Sequence, residues 1–107
     1  MPVPLHSHSH FSALDGLAKP EEMLARAQEL GYSSLGLTDH DVVAGHYDFY
    51  KTISEGGLKP ILGIETYQTP GVRQSNFGHR NDPETKKKRD NFHLILLAMT
   101  DEGLHNL

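Results

Sequence analysis

No cysteine occurs among the 107 residues of the chain. That excludes a disulfide framework and a thiolate zinc site, so any bound metal has to be held by imidazole and carboxylate. Such ligands favour hard or borderline ions. Long apolar runs are also missing. No stretch approaches the length of a membrane span, and Met1-Pro2-Val3-Pro4 lacks a basic segment leading into an apolar one. A cytoplasmic protein is the expectation. Nor is positive charge in excess: the net charge is −4 with histidine neutral, which gives the chain as a whole no attraction for nucleic acid. A nucleophile elbow, a P-loop and a dinucleotide fingerprint are absent too.

What the sequence has instead is histidine, eight in all and scattered rather than consecutive as in a purification tag. Six potential metal ligands follow one another as His6, His8, Asp15, His40, Glu65 and His93. Five of them lie on or just after segments that read as buried strands. The size is that of one small domain, or of part of a larger one.

Hydrophobic periodicity supplies the frame. A short strand is expected over Pro4 to His8, then a polar turn through Asp15-Gly16 and a helix opening at Pro20, which suits the first helical position. Glu21 and Glu22 complement the helix dipole, Met23, Ala27 and Leu30 recur at helical spacing, and Gly31 ends the helix. Ser34 to Thr38 reads as a buried strand with Asp39-His40-Asp41 past its end, where Asp41 would cap the next helix. Val43, Tyr47, Tyr50 and Ile53 give that helix an apolar stripe, and Gly56-Gly57 stops it. Lys59 to Tyr67 is a third strand, with Pro60 near its start. Thr69 to Asn91 is a long aperiodic loop carrying a basic cluster from Lys86 to Arg89. Phe92 to Ala98 is a fourth strand, and Thr100, Asp101 and Glu102 start a helix. This alternation predicts an α/β fold with about four parallel strands, in which the loops after the strand ends build the site.

The chemistry follows from where the polar groups fall. His6-Ser7-His8 sets two imidazoles on one strand face, because side chains alternate with a period of two. The ordinary alternative is a pair of solvated histidines at a ragged terminus. His40 and Asp39 emerge at a strand tip, where a ligand and a supporting carboxylate belong. Glu65 stands in the apolar run Ile61 to Tyr67, and a carboxylate there must be paired, protonated or bound to metal. Its two oxygens can bridge two cations. His93 interrupts another apolar run, where the alternative is a core histidine bonded to backbone. His10 lies in the turn, and His46, His79 and His105 fit no strand tip and are helix-face or loop residues. Metal ions held by nitrogen and oxygen ligands activate water and stabilise charge on a phosphoryl oxygen, so phosphate-ester hydrolysis is the expected chemistry. Glu65, His40 and Asp39 are the residues expected to act in catalysis.

Four ordered motifs carry a family resemblance: LHSHSHFSALDG (Leu5 to Gly16), GLTDHD (Gly36 to Asp41), KPILGIETY (Lys59 to Tyr67) and FHLILLAMTDEGLHNL (Phe92 to Leu107). They resemble the polymerase and histidinol phosphatase (PHP) domain found at the N-terminus of bacterial DNA polymerase III alpha subunits. The resemblance runs from Leu5 to the last residue and is weakest over Val72 to Asn91. It implies a (β/α)7 barrel with up to three divalent ions and nine ligands. On this pattern His6, His8 and Glu65 would hold the first ion, Glu65 and His93 the second, and Asp15 and His40 the third. Zinc or manganese are the leading candidates, with iron or magnesium as alternatives.

The family's remaining Cys, Asp and His ligands lie on later strands that this chain does not have. Residues 1–107 are therefore expected to form the N-terminal part of a PHP domain, an incomplete barrel without the polymerase regions. The implied function is a metal-dependent phosphoesterase, acting in the intact protein as a 3′–5′ proofreading exonuclease on a DNA 3′ end and associated with other polymerase subunits. Two alternatives stand beside it: a docking module without activity, and a free-standing phosphatase for a small phosphate monoester. The Lys86 to Arg89 cluster is read as a solvated loop rather than a DNA contact. A half barrel leaves an open sheet edge and an uncovered apolar face, which predicts self-association or partial disorder.

Overall fold

Pro20 opens the first helix as its position in the sequence dictates. The computed structural model describes residues 2–68 and 92–107. His79, the loop predicted over Thr69 to Asn91 and its basic cluster lie outside the described residues. Helix α1 spans Pro20–Glu29 and ends through Leu30 and Gly31, whose φ of 73° is the left-handed conformation that favours glycine after a helix. At its start the backbone N–H of Lys19 donates to Glu22 Oε2 at 2.9 Å, satisfying a group the helix leaves free.

Strand β1 covers Ser34–Leu37 and pairs in parallel with β2, Lys59–Gln68. Helix α2, His46–Glu55, crosses between them and packs against both. The core gathers where these elements meet: Leu37, Phe49 and Ile53 are fully buried, joined by Ala27 of α1 and Leu35, with Met23, Leu24, Tyr32, Leu58 and Leu62 packed around them. Each fully buried Leu, Ile or Phe contributes about 1.5–3 kcal/mol, so this small cluster carries much of the chain's stability.

Strand β3, Phe92–Leu97, pairs antiparallel with β2, and the sheet among the described residues has the order β1-β2-β3. The expectation of about four parallel strands is thus corrected to three in a mixed sheet. A parallel neighbour needs a crossover, usually helical, whereas an antiparallel one can follow a simple reversal. A short helix, α3 (Asp101–His105), begins at Thr100, whose Oγ1 accepts from the N–H of Gly103 at 3.0 Å.

Two further expectations change. Pro4 to His8 is not a regular strand, although it runs beside β1: Gly36 N–H donates to Pro4 O and Thr38 N–H to Ser7 O, each at 2.9 Å. Between those bonds the arm advances three residues while β1 advances two, which breaks the ladder, and Pro4 has no N–H to contribute. On α2 the apolar stripe is Phe49 and Ile53, while Tyr47 and Tyr50 are exposed and Val43 precedes the helix. Asp41 does not cap α2, since Gly45 holds that position. Asp41 instead adopts φ 59°, a left-handed conformation that Asp tolerates better than most residues.

Candidate metal centre

The arm, the tip of β1 and the middle of β2 converge on one carboxylate. The register that pairs Leu37 with Leu62 continues past the end of β1, so that His40 pairs with Glu65. Asp41 N–H donates to Glu65 O at 2.8 Å, and Glu65 N–H donates to Asp39 O at 3.1 Å. Glu65 is therefore held by its backbone on the same side as the strand tip. The residue is only 3% exposed, and its side chain lies on the sheet face it shares with Tyr67, His93 and Ile95.

Glu65 Oε2 lies 3.0 Å from His6 Nε2 and 2.5 Å from His8 Nε2. The other oxygen, Oε1, lies 2.8 Å from His93 Nδ1. Three imidazoles from two separate segments thus divide between the two oxygens of one carboxylate. Burial pushes the Glu65 carboxyl up, but hydrogen bonds and charge from His6 and His8 outweigh this and hold it below its ordinary value. One atom each from His6, His8 and Glu65 lie within 4.8 Å of one another, a spacing that a single cation can span.

A second pair sits beside this group. Asp15 Oδ2 is 2.7 Å from His40 Nδ1. A proton on that nitrogen leaves His40 Nε2 with a free lone pair, and Nε2 is buried without a hydrogen-bond partner among the described residues. An orphaned buried imidazole nitrogen carries a desolvation penalty that coordination would remove. The His40 ring stacks with that of His8 at a centroid separation of 6.2 Å and meets His93 edge-on at 4.8 Å. The donor set is all imidazole and carboxylate, which suits a hard or borderline divalent ion.

A family model described as the PHP domain matches residues 4–107. The chain belongs to the PHP domain family. Over 111 residues it is 43% identical to DNA polymerase III subunit alpha of Aquifex aeolicus (strain VF5), and over 105 residues 40% identical to that of Chlamydia pneumoniae. Both alignments take in 98% of this chain but only 9% and 8% of the relatives' length. Among solved structures it is similar to a Bifidobacterium adolescentis protein whose description as a metal-dependent phosphoesterase is itself a proposal (32% identity, TM-score 0.56, 61% of this chain and 22% of that one). An amidohydrolase from Chromobacterium violaceum, with bound sulfate and no metal, superposes with a TM-score of 0.65 at 26% identity over 89% of this chain and 27% of that one.

Of the six residues anticipated as ligands in this PHP chain, His6, His8 and His93 lie around Glu65, and Asp15 lies on His40. Asp39, expected to act in catalysis, turns its carboxylate to Ser9. It is fully buried, with Oδ1 accepting from Ser9 N–H at 2.6 Å and Oδ2 accepting from Ser9 Oγ at 2.7 Å. His46, read as a helix-face residue, reaches Gly63 O with Nε2 at 2.7 Å and ties α2 to β2.

Three contributors escaped sequence reasoning. Ser9 and Ser12 are fully buried, and Ser12 Oγ accepts from His40 N–H at 2.9 Å. Tyr67 packs its ring 4.6 Å from His40 and 5.3 Å from His93. The usable signal was the serines interleaved with the first ligands, since small hydroxyls there can serve backbone groups that a broken ladder leaves unpaired.

Proposed function

We propose that this chain is the ligand-bearing part of a PHP domain from a DNA polymerase III alpha subunit, and that its site hydrolyses phosphodiesters with two or three divalent ions. In the intact protein the substrate is a DNA 3′ end, and the reaction is removal of the terminal nucleotide. The observation that carries this reading is the division of the buried Glu65 carboxylate between His6 and His8 on one oxygen and His93 on the other.

When bound, the ions supply an acidified water and stabilise charge on a phosphoryl oxygen. The chain's own residues prepare for this. Glu65, His6 and His8 form one group, Glu65 and His93 a second, and His40, turned by Asp15, offers Nε2 at a third position. In the metal-free protein, ring N–H groups occupy the carboxylate, and cations would displace those protons, so binding tightens as pH rises. Tyr67 packs its ring beside His40 and His93. Polymerisation, replisome subunits and the rest of the barrel would belong to the longer protein.

The test is hydrolysis of a 3′-labelled single-stranded oligonucleotide and of a small phosphate monoester by this chain with zinc or manganese, alongside Glu65→Gln. Metal-dependent release of the 3′ nucleotide, lost in the variant, supports the reading. Cleavage of the monoester alone would favour a free-standing phosphatase, and tight metal binding without turnover a docking module.

A further inference from the structure

The arm that carries His6 and His8 has no regular ladder, yet its two imidazoles must arrive together at one oxygen. Its anchors are few and specific. Gly36 lets the arm approach β1 closely, since a Cβ there would lie 2.9 Å from both Leu5 Cα and Pro4 O. Ser7 N–H donates to Thr38 Oγ1 at 3.1 Å. Just beyond His8 the next anchor is Ser9, whose N–H and Oγ both donate to Asp39.

That anchor is sealed. Ser9 and Asp39 are each fully buried, and Phe11 N–H donates to Ser9 Oγ at 3.2 Å. Two glycines make room for it: a Cβ on Gly16 would fall 2.2 Å from Ser9 O, and one on Gly45 would fall 3.0 Å from Asp39 Oδ2 and 2.8 Å from the Phe11 ring. A carboxylate with both oxygens taken and no solvent access can neither hold an ion nor exchange a proton with substrate. We infer that Asp39 is a positioning residue, locking Ser9 so that the neighbouring His8, and with it His6, stays aimed at Glu65. The metal-related part of this inference rests on the function proposed above.

Asparagine separates the roles. Asp39→Asn keeps an oxygen for the Ser9 N–H and offers an N–H to Ser9 Oγ, which can accept it. Two bonds to Ser9 are kept, although the Ser9 O–H gives up its acceptor, and the charge is lost. Asp39→Ala removes both. In metal-free protein, hydrogen exchange at the Ser9 amide is expected to be slow in the unsubstituted chain and in Asp39→Asn, and fast in Asp39→Ala. In zinc titrations Asp39→Ala and Ser9→Ala are expected to weaken binding by about 10–100-fold, as losses behind a metal site do. Asp39→Asn should bind like the unsubstituted chain. Ile53→Val, a core change remote from the arm, should lower the melting temperature without altering affinity, which excludes general destabilisation as the cause.

Unchanged exchange at Ser9 in Asp39→Ala overturns the inference, as does an Asn variant that loses zinc as completely as Ala while Ser9→Ala is silent. Should Asp39→Ala not fold, Ser9→Ala and Asp39→Asn decide by the same criteria. If the unsubstituted chain binds no zinc but Ser9 exchange responds as expected, the metal reading fails and the lock stands.

Discussion

His40 and Glu65 are register partners: Asp41 N–H reaches Glu65 O at 2.8 Å, and Glu65 N–H reaches Asp39 O at 3.1 Å. Two residues far apart in sequence are thus fixed side by side by backbone hydrogen bonds. Their side chains then need little further ordering to share a site. Preorganisation of this kind is what a metal centre needs, since every loose ligand adds an entropic cost to binding.

Glu65→Gln tests the centre of the arrangement with almost no change in volume. The amide keeps one acceptor oxygen and replaces the other with a donor, which cannot face ring N–H groups or a cation. Zinc affinity is expected to fall by at least about 100-fold in calorimetric titration, beyond the usual cost of losing an outer contact. Asp15→Asn, at the carboxylate 2.7 Å from His40 Nδ1, should remove binding at one ion and leave the His6, His8 and Glu65 group in place.

Acid should expose the Glu65 interactions in metal-free protein. Its folded carboxyl lies below the ordinary value of 4.5 because the contribution of His6 and His8 exceeds that of burial. The unfolded chain then binds a proton more readily than the folded one, so this stability is fully present above about 4.5 and is lost as pH falls through the lower folded value. Urea midpoints measured downward from about pH 6 should drop in that window, and the drop should shrink in Glu65→Gln. Equal profiles for the two proteins would refute it.

Much of this was legible in the sequence because it rests on local signals. Pro20, Gly31, Gly56 and Thr100 punctuate the helices, and an isolated carboxylate or imidazole in an apolar strand, as at Glu65 and His93, has few uses. The rest depends on long-range geometry. Periodicity says that Phe92–Leu97 is a strand but not which way it runs, so its antiparallel pairing with β2 was not readable. Nor does a period of two reveal the slipped arm over Pro4 to His8, because proline and a bulge change the ladder without changing composition. The partner of Asp39 was hidden for a similar reason: a strand-tip carboxylate looks the same in sequence whether it faces the site or a serine behind it.

Gly63→Ala probes the β2–β3 seam that brings His93 to Glu65. A Cβ at Gly63 would lie 2.3 Å from Leu96 O, 2.8 Å from Leu97 Cδ2 and 3.2 Å from Thr38 Cγ2. The nearest of these is backbone, so the strands must separate, at about 1–3 kcal/mol. His93 would then withdraw from Oε1 while His6 and His8 stay on the arm. The expected result is a lower melting temperature and loss of one equivalent of zinc by calorimetry, with binding at the His6, His8 and Glu65 group as before. Loss of all zinc at unchanged stability would contradict the separation of the His93 group from the His6 and His8 group.

Strand β3 carries the last consequence. Leu94 and Leu96 are register partners of Thr66 and Ile64, on the face whose continuation at Leu62 packs into the core. Helix α2 covers that face over β1 and β2, but Phe92, Leu94 and Leu96 are exposed, as is Met99 beyond them. Among the described residues β3 also has no second neighbour, so an open edge and an uncovered apolar strip coincide. Sedimentation velocity is expected to show concentration-dependent association of this chain. A Leu94→Lys, Leu96→Lys variant should sediment as a monomer without losing zinc, because neither side chain points to the site face. A monodisperse, cooperatively unfolding monomer at all concentrations would show that the strip is covered by the chain itself.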